Sequence, residues 1–325
     1  MGRVDHPFTV GVLGGSGVYE IDGLVGARWE KVESPFGAPS DEILVGELSG
    51  VRCAFLPRHA RGHRIPPSEI NYLANIDALK RVGVSDLISL SACGSLREEL
   101  SPGTFVVVDQ FVDRTVSRRH SFFGAGFVAH VSMARPVCAR LGDALESAAR
   151  SLAIPHARGA TYLAMEGPQF SSRAEANLYR SWSCDVIGMT NMPEAKLARE
   201  AEICYASVAM VTDYDCWRDD RAAVGVGEIA KIVRENADRA RSLVAAVVPA
   251  LAGRASPCRE GCDRVLDGAV FTAPDARSPE LRARLDAVAR RGEDAWRTVE
   301  AEIERRNVAG YDAARRSASS SLTEA

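Results

Sequence analysis

The sequence predicts an α/β protein with a largely buried sheet, and two observations carry this prediction. Short apolar runs alternate along the chain with longer segments in which apolar residues recur every three or four positions. Strands that are apolar throughout are typical of a sheet covered by helices on both faces. The predicted strands are residues 8–13, 44–48, 53–56, 86–90, 104–108, 185–187 and 205–211.

Four segments carry helical periodicity, at residues 69–82, 136–152, 193–201 and 226–251. Pro193 suits the first turn of the third helix, because proline at that position sacrifices no hydrogen bond. The fourth helix is expected to end near Pro249 and Gly253.

We expect one main domain over residues 1–252, with residues 253–292 as its C-terminal continuation. Residues 293–325 are expected to form an amphipathic helix and a disordered tail ending in SASSSLTEA. The helical pattern begins inside the continuation, at Pro279, and is interrupted by Gly292. Its apolar stripe is Leu281, Leu285, Val288, Trp296, Val299 and Ile303.

Composition and charge exclude several classes of protein. The 325 residues carry 40 basic and 43 acidic side chains, a net charge of −3, so charge offers no case for nucleic-acid or membrane binding as the main task. No apolar run reaches the roughly 18 residues of a membrane span, and the charged, glycine-containing N-terminal segment does not resemble a signal peptide. These features predict a cytoplasmic protein.

The eight cysteines are spread widely and are expected to be buried, reduced thiols. Only Cys258 and Cys262 are close in sequence. Because they have no second pair nearby, and because no HExxH or deaminase-type His-x-Glu occurs, we expect neither a metal nor a cofactor.

Three loops that follow predicted strands suit a small anion. They are the GGSG loop at 14–17, the RHARGH loop at 58–63, and the SLSACGS stretch at 89–95. Glycines let backbone N–H groups converge, and guanidinium, imidazole and hydroxyl groups bind oxyanions. Each loop alone could be an ordinary turn or a solvated loop, and none completes a dinucleotide, P-loop or nucleophile-elbow motif. Together they favour free phosphate.

The TDYDCW segment at 212–217 follows a very apolar strand. Asp213 and Asp215 are two residues apart, so on extended backbone they project to the same side. Such a pair can hold a heterocycle, one carboxylate accepting from an exocyclic amine while its neighbour, with a raised pKa, stays protonated and donates to a ring nitrogen. Phe170, in the EGPQFSSR segment, could stack on a base, although a core position or surface turn would also fit these residues.

In this order, the motifs GGSG, SPFGAPSD, PRHARGH, NYLANIDALK, SACGSLREEL, DQFVDRT, EGPQFSSRAE, GMTNMPEAKLAREAEICYA and VTDYDCW resemble those of the 5′-methylthioadenosine phosphorylases. These enzymes form part of the trimeric purine nucleoside phosphorylase family. The resemblance covers roughly residues 8–250 and continues more weakly to about 290. It implies a single-domain fold with a central mixed sheet flanked by helices, and a homotrimer.

Carried over by position, the resemblance also implies the site residues. Asp213 is the implied catalytic residue, which protonates N7 of the purine, and Asp215 accepts from the 6-amino group. The implied phosphate site is Ser16, Arg58, His59, Ser91, Ala92 and Thr190. The implied nucleoside site comprises Met189 under the ribose, Phe170 against the base, His63 and His130 near the 5′ substituent, and Val226 and Ile229 in an apolar 5′ pocket completed by a neighbouring subunit.

The implied reaction is phosphorolysis of 5′-methylthioadenosine to adenine and 5-methylthio-α-D-ribose 1-phosphate, with phosphate as co-substrate and no cofactor. Carboxylates facing position 6 favour adenine, since a 6-oxopurine presents an acceptor there. Broad-specificity or 6-oxopurine phosphorolysis, and use of another 5′-modified adenosine such as a 5′-halogenated one, remain alternatives. A hydrolase using water and a noncatalytic nucleoside-binding regulator are further alternatives.

Overall fold

The computed structural model describes residues 8–15, 17, 18, 20–218, 226–253, 257–289 and 305, without the side chains of 226–230 and of Pro274. Ser16, Trp296, Val299, Ile303 and the C-terminal tail lie outside the described residues. Among those described, no helix is long and apolar enough to cross a membrane.

A nine-stranded mixed sheet forms the centre of the protein. Its strands are β1 Thr9–Gly14, β2 Leu24–Glu30, β3 Ile43–Leu48, β4 Val51–Pro57, β5 Val84–Ser95, β6 Phe105–Arg114, β7 His156–Met165, β8 Val186–Gly188 and β9 Cys204–Asp213. The helices are α1 Tyr72–Arg81, α2 Ala139–Ser151, α3 Arg173–Ser181, α4 Asn191–Glu200, α5 Val226–Leu251 and α6 Pro279–Arg284. Three short 3₁₀ helices cover Pro67–Glu69, Cys262–Arg264 and Pro274–Ala276. The predicted α/β class and mixed sheet are confirmed.

The strand order is β2-β3-β4-β1-β5-β8-β7-β6-β9, and β5 also pairs with β9. The last five strands therefore close into a ring, with β5 shared between the ring and the open part of the sheet. β5 pairs in parallel with β1 and β9, while its last two residues pair antiparallel with β8. The carboxyl end of β5 is thus the junction where the loops that follow neighbouring strands meet.

Helices cover both faces of the sheet. On one face, α1 and α4 pack together, with Leu73, Ile76 and Leu197 in the core. On the other face, α2 packs on α5 through residues such as Leu145 and Val244. Burial on both faces explains why most strands are apolar throughout rather than alternating.

The sequence analysis did not predict strands β2 and β7 or helix α3. β2 is largely exposed at the sheet edge, and β7 opens with the half-polar run HARG, so neither presents a clean apolar run. α3 has a local signal that could have identified it, because Ser172 and Glu175 form a capping box at its start.

The C-terminal segment 257–289 packs back on the body of the protein. His130 N–H donates to the Ala269 carbonyl at 2.8 Å, and Ala129 bridges Val270 in an antiparallel manner. The apolar run at residues 269–272 thus contributes an isolated bridge. Within residues 279–289, the predicted long amphipathic helix is observed as α6, which is followed by turns up to residue 289.

All eight cysteines are free thiols, and seven are buried, as the sequence predicts. The inference that Cys258 and Cys262 lack a second pair is wrong. The fold brings Cys138 and Cys204 beside them, and the four sulfur atoms lie within 4.8 Å of one another. Separations of more than 50 residues hid this cluster from any argument based on local spacing.

Candidate active site

The loops after β1 and β4 meet at the carboxyl edge of the sheet. Arg58 N–H, one residue beyond β4, donates to the carbonyl of Gly14 at 2.9 Å. Because β1 pairs in parallel with both β4 and β5, these loop residues lie beside the carboxyl end of β5. Two of the predicted anion loops thus converge; Ser16, in the GGSG loop, lies outside the described residues.

Arg58 is fully buried, with 1% of its surface exposed. Its Nε donates to a carboxylate oxygen of Glu194 at 2.7 Å, and its Nη2 donates to Ser89 Oγ at 2.7 Å. The carbonyls of Leu13 and Leu90 accept from Nη2 and Nη1. These contacts leave one Nη1 hydrogen without an acceptor among the described residues. Sequence reasoning missed Glu194, which forms a buried ion pair with the guanidinium assigned to phosphate.

Glu194 keeps Arg58 charged despite its burial. Desolvation acts to lower the pKa of the guanidinium, but the adjacent Glu194 carboxylate more than offsets this and raises it. Tyr205 OH donates to the same carboxylate at 3.0 Å, and Asn191 donates to Ser89 Oγ at 3.1 Å. Arg58 is therefore fixed in position by a buried polar network.

Two of the predicted phosphate ligands lie side by side. The hydroxyl oxygens of Ser91 and Thr190 are 3.1 Å apart, and Tyr162 OH is 3.4 Å from Ser91 Oγ. Tyr162 reaches this place because Gly188 has no side chain, since a Cβ there would stand 1.9 Å from the phenolic oxygen. Ala92, the next predicted ligand, is exposed beside them. Together, the hydroxyl groups form a small donor cluster at the end of β5.

His59 is neutral at physiological pH. Burial, and then the charge of Arg58, lower the pKa of its imidazole to about 4. Its Nδ1 is 2.9 Å from the carbonyl of Ile65, which can only accept, so Nδ1 carries the proton and Nε2 keeps its lone pair. The ring stacks on the exposed ring of His63 at 4.4 Å. Neutral His59 can therefore accept a hydrogen bond from a protonated phosphate oxygen.

The carboxylates of Asp213 and Asp215 lie together at the end of β9. Asp215 N–H donates to Asp213 Oδ1 at 2.8 Å. In the ladder, Gly94 of β5 pairs with Asp213, and a Cβ at Gly94 would stand 3.1 Å from Asp213 Oδ1. Glycine at 94 therefore gives the carboxylate pair its room. The base side of the site thus adjoins the strand that carries Ser91.

The pKa of the Asp215 carboxyl is raised above its usual value. Burial is the main cause; a hydrogen bond from Ser171 opposes it, and the charge of Asp213 adds to it. The resemblance implies a proton on its neighbour, Asp213. Asp213 is linked to Thr212, whose Oγ1 lies 2.7 Å from Asp213 Oδ2 and 3.1 Å from the Cys93 carbonyl.

The Thr212 hydroxyl has one proton for these two acceptors. If Asp213 carries a proton on Oδ2, it can donate to Thr212, which then donates to the Cys93 carbonyl. Both hydrogen bonds are satisfied in that state. With Asp213 ionised, the Thr212 proton serves only one of the two oxygens. The local network can therefore accommodate a proton on Asp213.

Phe170 lies in the loop before α3 and is 81% exposed. The next residue, Ser171, donates to Asp215 at 2.9 Å and so ties this loop to the carboxylate pair. On its other side the loop rests on Met189, because a Cβ at Gly167 would stand 2.6 Å from the Met189 sulfur. The structure thus connects the loop carrying Phe170 with both Met189 and Asp215.

Comparisons with known proteins identify the family of this chain. A family model described as the phosphorylase superfamily matches residues 9–249. The chain belongs to the phosphorylase superfamily. The family resemblance drawn from the motifs is thereby confirmed, and the chain is an enzyme of the pentosyltransferase class that acts on a nucleoside and phosphate.

Two relatives of this phosphorylase are named S-methyl-5′-thioadenosine phosphorylase. That of Rhodospirillum rubrum is 62% identical and covers 87% of this chain and 96% of its own length. That of Cereibacter sphaeroides is 61% identical, with coverage of 87% and 97%.

Solved structures agree. A methylthioadenosine phosphorylase from an antarctic soil metagenomic library has a TM-score of 0.83 and 45% identity, covering 87% of this chain and 99% of its own. Methylthioadenosine phosphorylase from Schistosoma mansoni, in complex with adenine, has a TM-score of 0.74 and 34% identity, covering 81% and 99%.

Arg118, which the sequence analysis missed, joins several loops of the candidate site. Its Nη1 donates to the carbonyl of Met189 at 2.6 Å and to Tyr72 OH at 2.9 Å. Its Nε donates to the Glu166 carboxylate at 3.2 Å. Arg118 is almost completely buried and holds the Phe170 loop and the Met189 turn in register. No local pattern marks it, since its partners are 46 to 71 residues away.

The residues predicted near the 5′ substituent are only partly described. His130 is exposed, and its ring meets the edge of Phe271 with centroids 5.1 Å apart. It also lines a pocket of about 390 Å³ together with Lys196 and Glu200. Val226 and Ile229 lie in the first two turns of α5, and their side chains are outside the described residues.

Proposed function

We propose that this phosphorylase cleaves 5′-methylthioadenosine with inorganic phosphate, giving adenine and 5-methylthio-α-D-ribose 1-phosphate. The observation that carries the proposal is the juxtaposition of two subsites on paired strands. Ser91, near the end of β5, belongs to a cluster of hydroxyl donors, and the Asp213–Asp215 pair lies on β9 against Gly94 of the same β5 strand. The names of the relatives support the same substrate.

Phosphate is the proposed nucleophile. Breaking the bond between C1′ and N9 leaves positive charge on the ribose, which an adjacent phosphate dianion stabilises before it attacks C1′ with inversion. Ser91, Thr190 and the remaining Arg58 hydrogen are proposed donors to phosphate, together with Ser16. Neutral His59 accepts from a phosphate hydroxyl through Nε2. Exposed Ala92 lies beside the hydroxyl cluster and is proposed to contact phosphate.

Asp213 is proposed to protonate N7 of the leaving purine. Negative charge builds on the purine as the bond breaks, so a positioned acid is worth roughly 10²- to 10⁴-fold in rate. The hydrogen bond to Thr212 gives the proton a place on Asp213 Oδ2 before transfer. Asp215, held by Ser171 and the backbone, is proposed to accept from the 6-amino group. Its raised pKa is expected to fall when that amino group donates to it.

The remaining nucleoside contacts are proposed from the resemblance of the motifs to those of the family. Phe170 is proposed to stack on the base and Met189 to pack under the ribose. His63, His130, Val226 and Ile229 are proposed to surround the methylthio group. We also propose a homotrimer in which a neighbouring copy completes this pocket. The proposed setting is salvage of methionine and purines in the cytoplasm, consistent with eight free thiols.

The proposed function is tested by measuring release of free base from methylthioadenosine, adenosine, a 5′-halogenated adenosine and methylthioinosine, each with and without phosphate. We expect phosphate-dependent release, fastest with methylthioadenosine. Preference for methylthioinosine would overturn the assignment of the aspartate pair to adenine. Release that does not need phosphate would make the enzyme a hydrolase, and preference for another 5′ substituent would overturn the methylthio assignment.

A further inference from the structure

Four cysteines from distant parts of the chain meet on the side of the sheet covered by α2 and α5. They are Cys138, just before α2; Cys204, the first residue of β9; and Cys258 and Cys262, beyond α5. All four are buried, and their sulfur atoms lie within 4.8 Å of one another. No residue proposed for phosphorolysis belongs to this cluster.

The spacing of the sulfur atoms suits a metal ion better than a disulfide. Cys138 Sγ and Cys258 Sγ are 3.9 Å apart. A disulfide requires about 2.05 Å between sulfurs. Four thiolates placed about 2.3 Å from a zinc ion at the corners of a tetrahedron are about 3.8 Å apart. The observed separation is therefore close to the edge of a tetrathiolate site.

Two of the four cysteines are held by regular structure. Cys138 N–H donates to the carbonyl of Tyr205 at 2.8 Å, which fixes the start of α2 against β9, the strand that begins with Cys204. These two thiols are thus pre-positioned by elements of the core. A ligand that joins these two thiols to Cys258 and Cys262 would therefore cost little conformational entropy at Cys138 and Cys204.

The other two cysteines lie on a tight turn that directs them to the same place. Gly261 has φ of 69°, a left-handed conformation that glycine adopts readily, and its N–H donates to the Cys258 carbonyl at 2.9 Å. The Asp263 carboxylate accepts from Cys258 N–H at 2.8 Å. The turn is therefore ordered by its own hydrogen bonds, independently of the sulfur atoms.

Two arginine side chains lie beside the cluster. Arg199 Nη1 lies 3.7 Å from Cys262 Sγ, and Arg140, which is paired with Asp86 at 2.7 Å, lies beside Cys204. A zinc ion with four thiolates carries a charge of −2, and N–H donors to the sulfurs are typical of the outer shell of such sites.

We propose that Cys138, Cys204, Cys258 and Cys262 bind one Zn²⁺ ion in a structural site separate from the phosphorylase centre. Each of the four thiols gives up its proton on binding, so four Zn–S bonds form and four protons go to solvent. Four protein ligands leave no open position for water or substrate, which is typical of a structural rather than a catalytic zinc site.

The zinc ion would fasten the segment after α5 to the body of the protein. That segment includes Ala269, which accepts from His130 N–H, and Phe271, whose ring meets that of His130. Loss of the metal is therefore expected to loosen residues 257–272 first. The core of the sheet, which is held by burial on both faces, is expected to be affected less.

The test begins with metal analysis of the full chain produced with zinc in the growth medium. We expect about one zinc per chain in the wild type and in the control Cys184→Ser, which alters a buried cysteine outside the cluster. We expect less than about 0.2 zinc in Cys258→Ser and Cys262→Ser. Replacement by Co²⁺ should give the visible absorption bands of a tetrahedral tetrathiolate site.

A second measurement does not depend on whether the variants fold. Titration of the native wild type with an organomercurial should release zinc in step with four thiols and expose residues 257–272 to limited proteolysis. Wild type that contains no zinc and eight free thiols would overturn the proposal, as would a disulfide between any two of the four cysteines. Equal zinc content in the wild type and both cluster variants would overturn it too.

Discussion

The phosphate side and the base side of the candidate site differ in what holds them. On the phosphate side, Arg58 is buried and engaged by Glu194, Ser89 and two backbone carbonyls. On the base side, Phe170 projects from a loop and the aspartate pair is half-buried. Disrupting a buried network costs much free energy, because water cannot solvate a charge that is left unpaired there.

This difference predicts different roles for the two sides in catalysis. The hydrogen bonds among its own residues organise the phosphate side, so we expect it to bind an anion with little rearrangement. The base side depends on a few loop contacts, chiefly Ser171 with Asp215 and Thr212 with Asp213. We therefore expect substitutions on the phosphate side to affect stability and phosphate binding together. Substitutions on the base side are expected to affect turnover or nucleoside binding with little loss of stability.

The largest effect is expected from Asp213→Asn. Asparagine can accept from Asp215 N–H and donate to Thr212, so the local hydrogen bonds survive, but it cannot transfer a proton to N7. We expect kcat to fall about 10²- to 10⁴-fold with a much smaller change in KM for the nucleoside. Steady-state kinetics against the surface control Asp143→Asn would measure this. A loss of less than 10-fold in kcat would contradict the role of Asp213 as proton donor.

The next effect is expected from Glu194→Gln on the phosphate side. Arg58 would keep its charge in a buried position without a counter-ion, so the free energy of unfolding should fall by roughly 3 kcal/mol. KM for phosphate should rise as the guanidinium loses its fixed position, and Glu194→Asp should recover part of both losses. Denaturant unfolding and phosphate-dependence kinetics would measure these changes.

The matched control for this experiment is Leu145→Ala, which truncates a fully buried apolar side chain on α2. We expect it to lower the free energy of unfolding by about 2–5 kcal/mol without changing KM for phosphate. If Glu194→Gln behaves in the same way, Glu194 has a purely structural role and the comparison between the two sides fails.

Asp213 and Glu194 also show how far the sequence could predict the site. Asp213 is the last residue of the apolar strand β9, and its two-residue spacing to Asp215 is a local pattern, so the pair could be found directly. Glu194 lies 136 residues from Arg58, and Arg118 lies 71 residues from its partner Met189. Such contacts come from the tertiary packing of segments that are distant in sequence, which no local pattern reveals.

Most strands of the sheet could be predicted from the sequence because they are buried on both faces. Strands buried on both faces are apolar throughout, and they were found as apolar runs. The edge strand β2 is exposed and β7 begins with polar residues, so both were missed. The cysteine cluster illustrates the same limit, because Cys138 and Cys204 meet Cys258 only through tertiary packing.

A smaller effect is expected from Phe170→Ala. The ring is exposed and is proposed to stack on the base, and loss of such stacking typically costs about 1–3 kcal/mol. We expect KM for methylthioadenosine to rise about 10-fold while kcat and the melting temperature stay near wild type. Val25→Ala, which truncates an exposed apolar side chain on β2, is the control. A fall in stability equal to the loss of binding would show that Phe170 is part of the core packing.

The smallest effect is expected from Asp215→Asn, and it depends on pH. Burial and the charge of Asp213 raise the pKa of Asp215 above that of the unfolded chain. Its contribution to stability is therefore present at low pH and is lost as the pH rises through the folded-state pKa. Asparagine stays neutral, so the melting temperature of the variant relative to wild type should increase from pH 4 to pH 7, by roughly 1–3 °C. Thermal unfolding of the ligand-free protein across this range would measure it. Activity with methylthioadenosine should be lower than that of wild type at neutral pH, since a neutral amide oxygen accepts more weakly than the carboxylate proposed to bind the 6-amino group. A variant that is less stable than wild type at pH 7 would show that the base side, like the phosphate side, depends on its charge for stability.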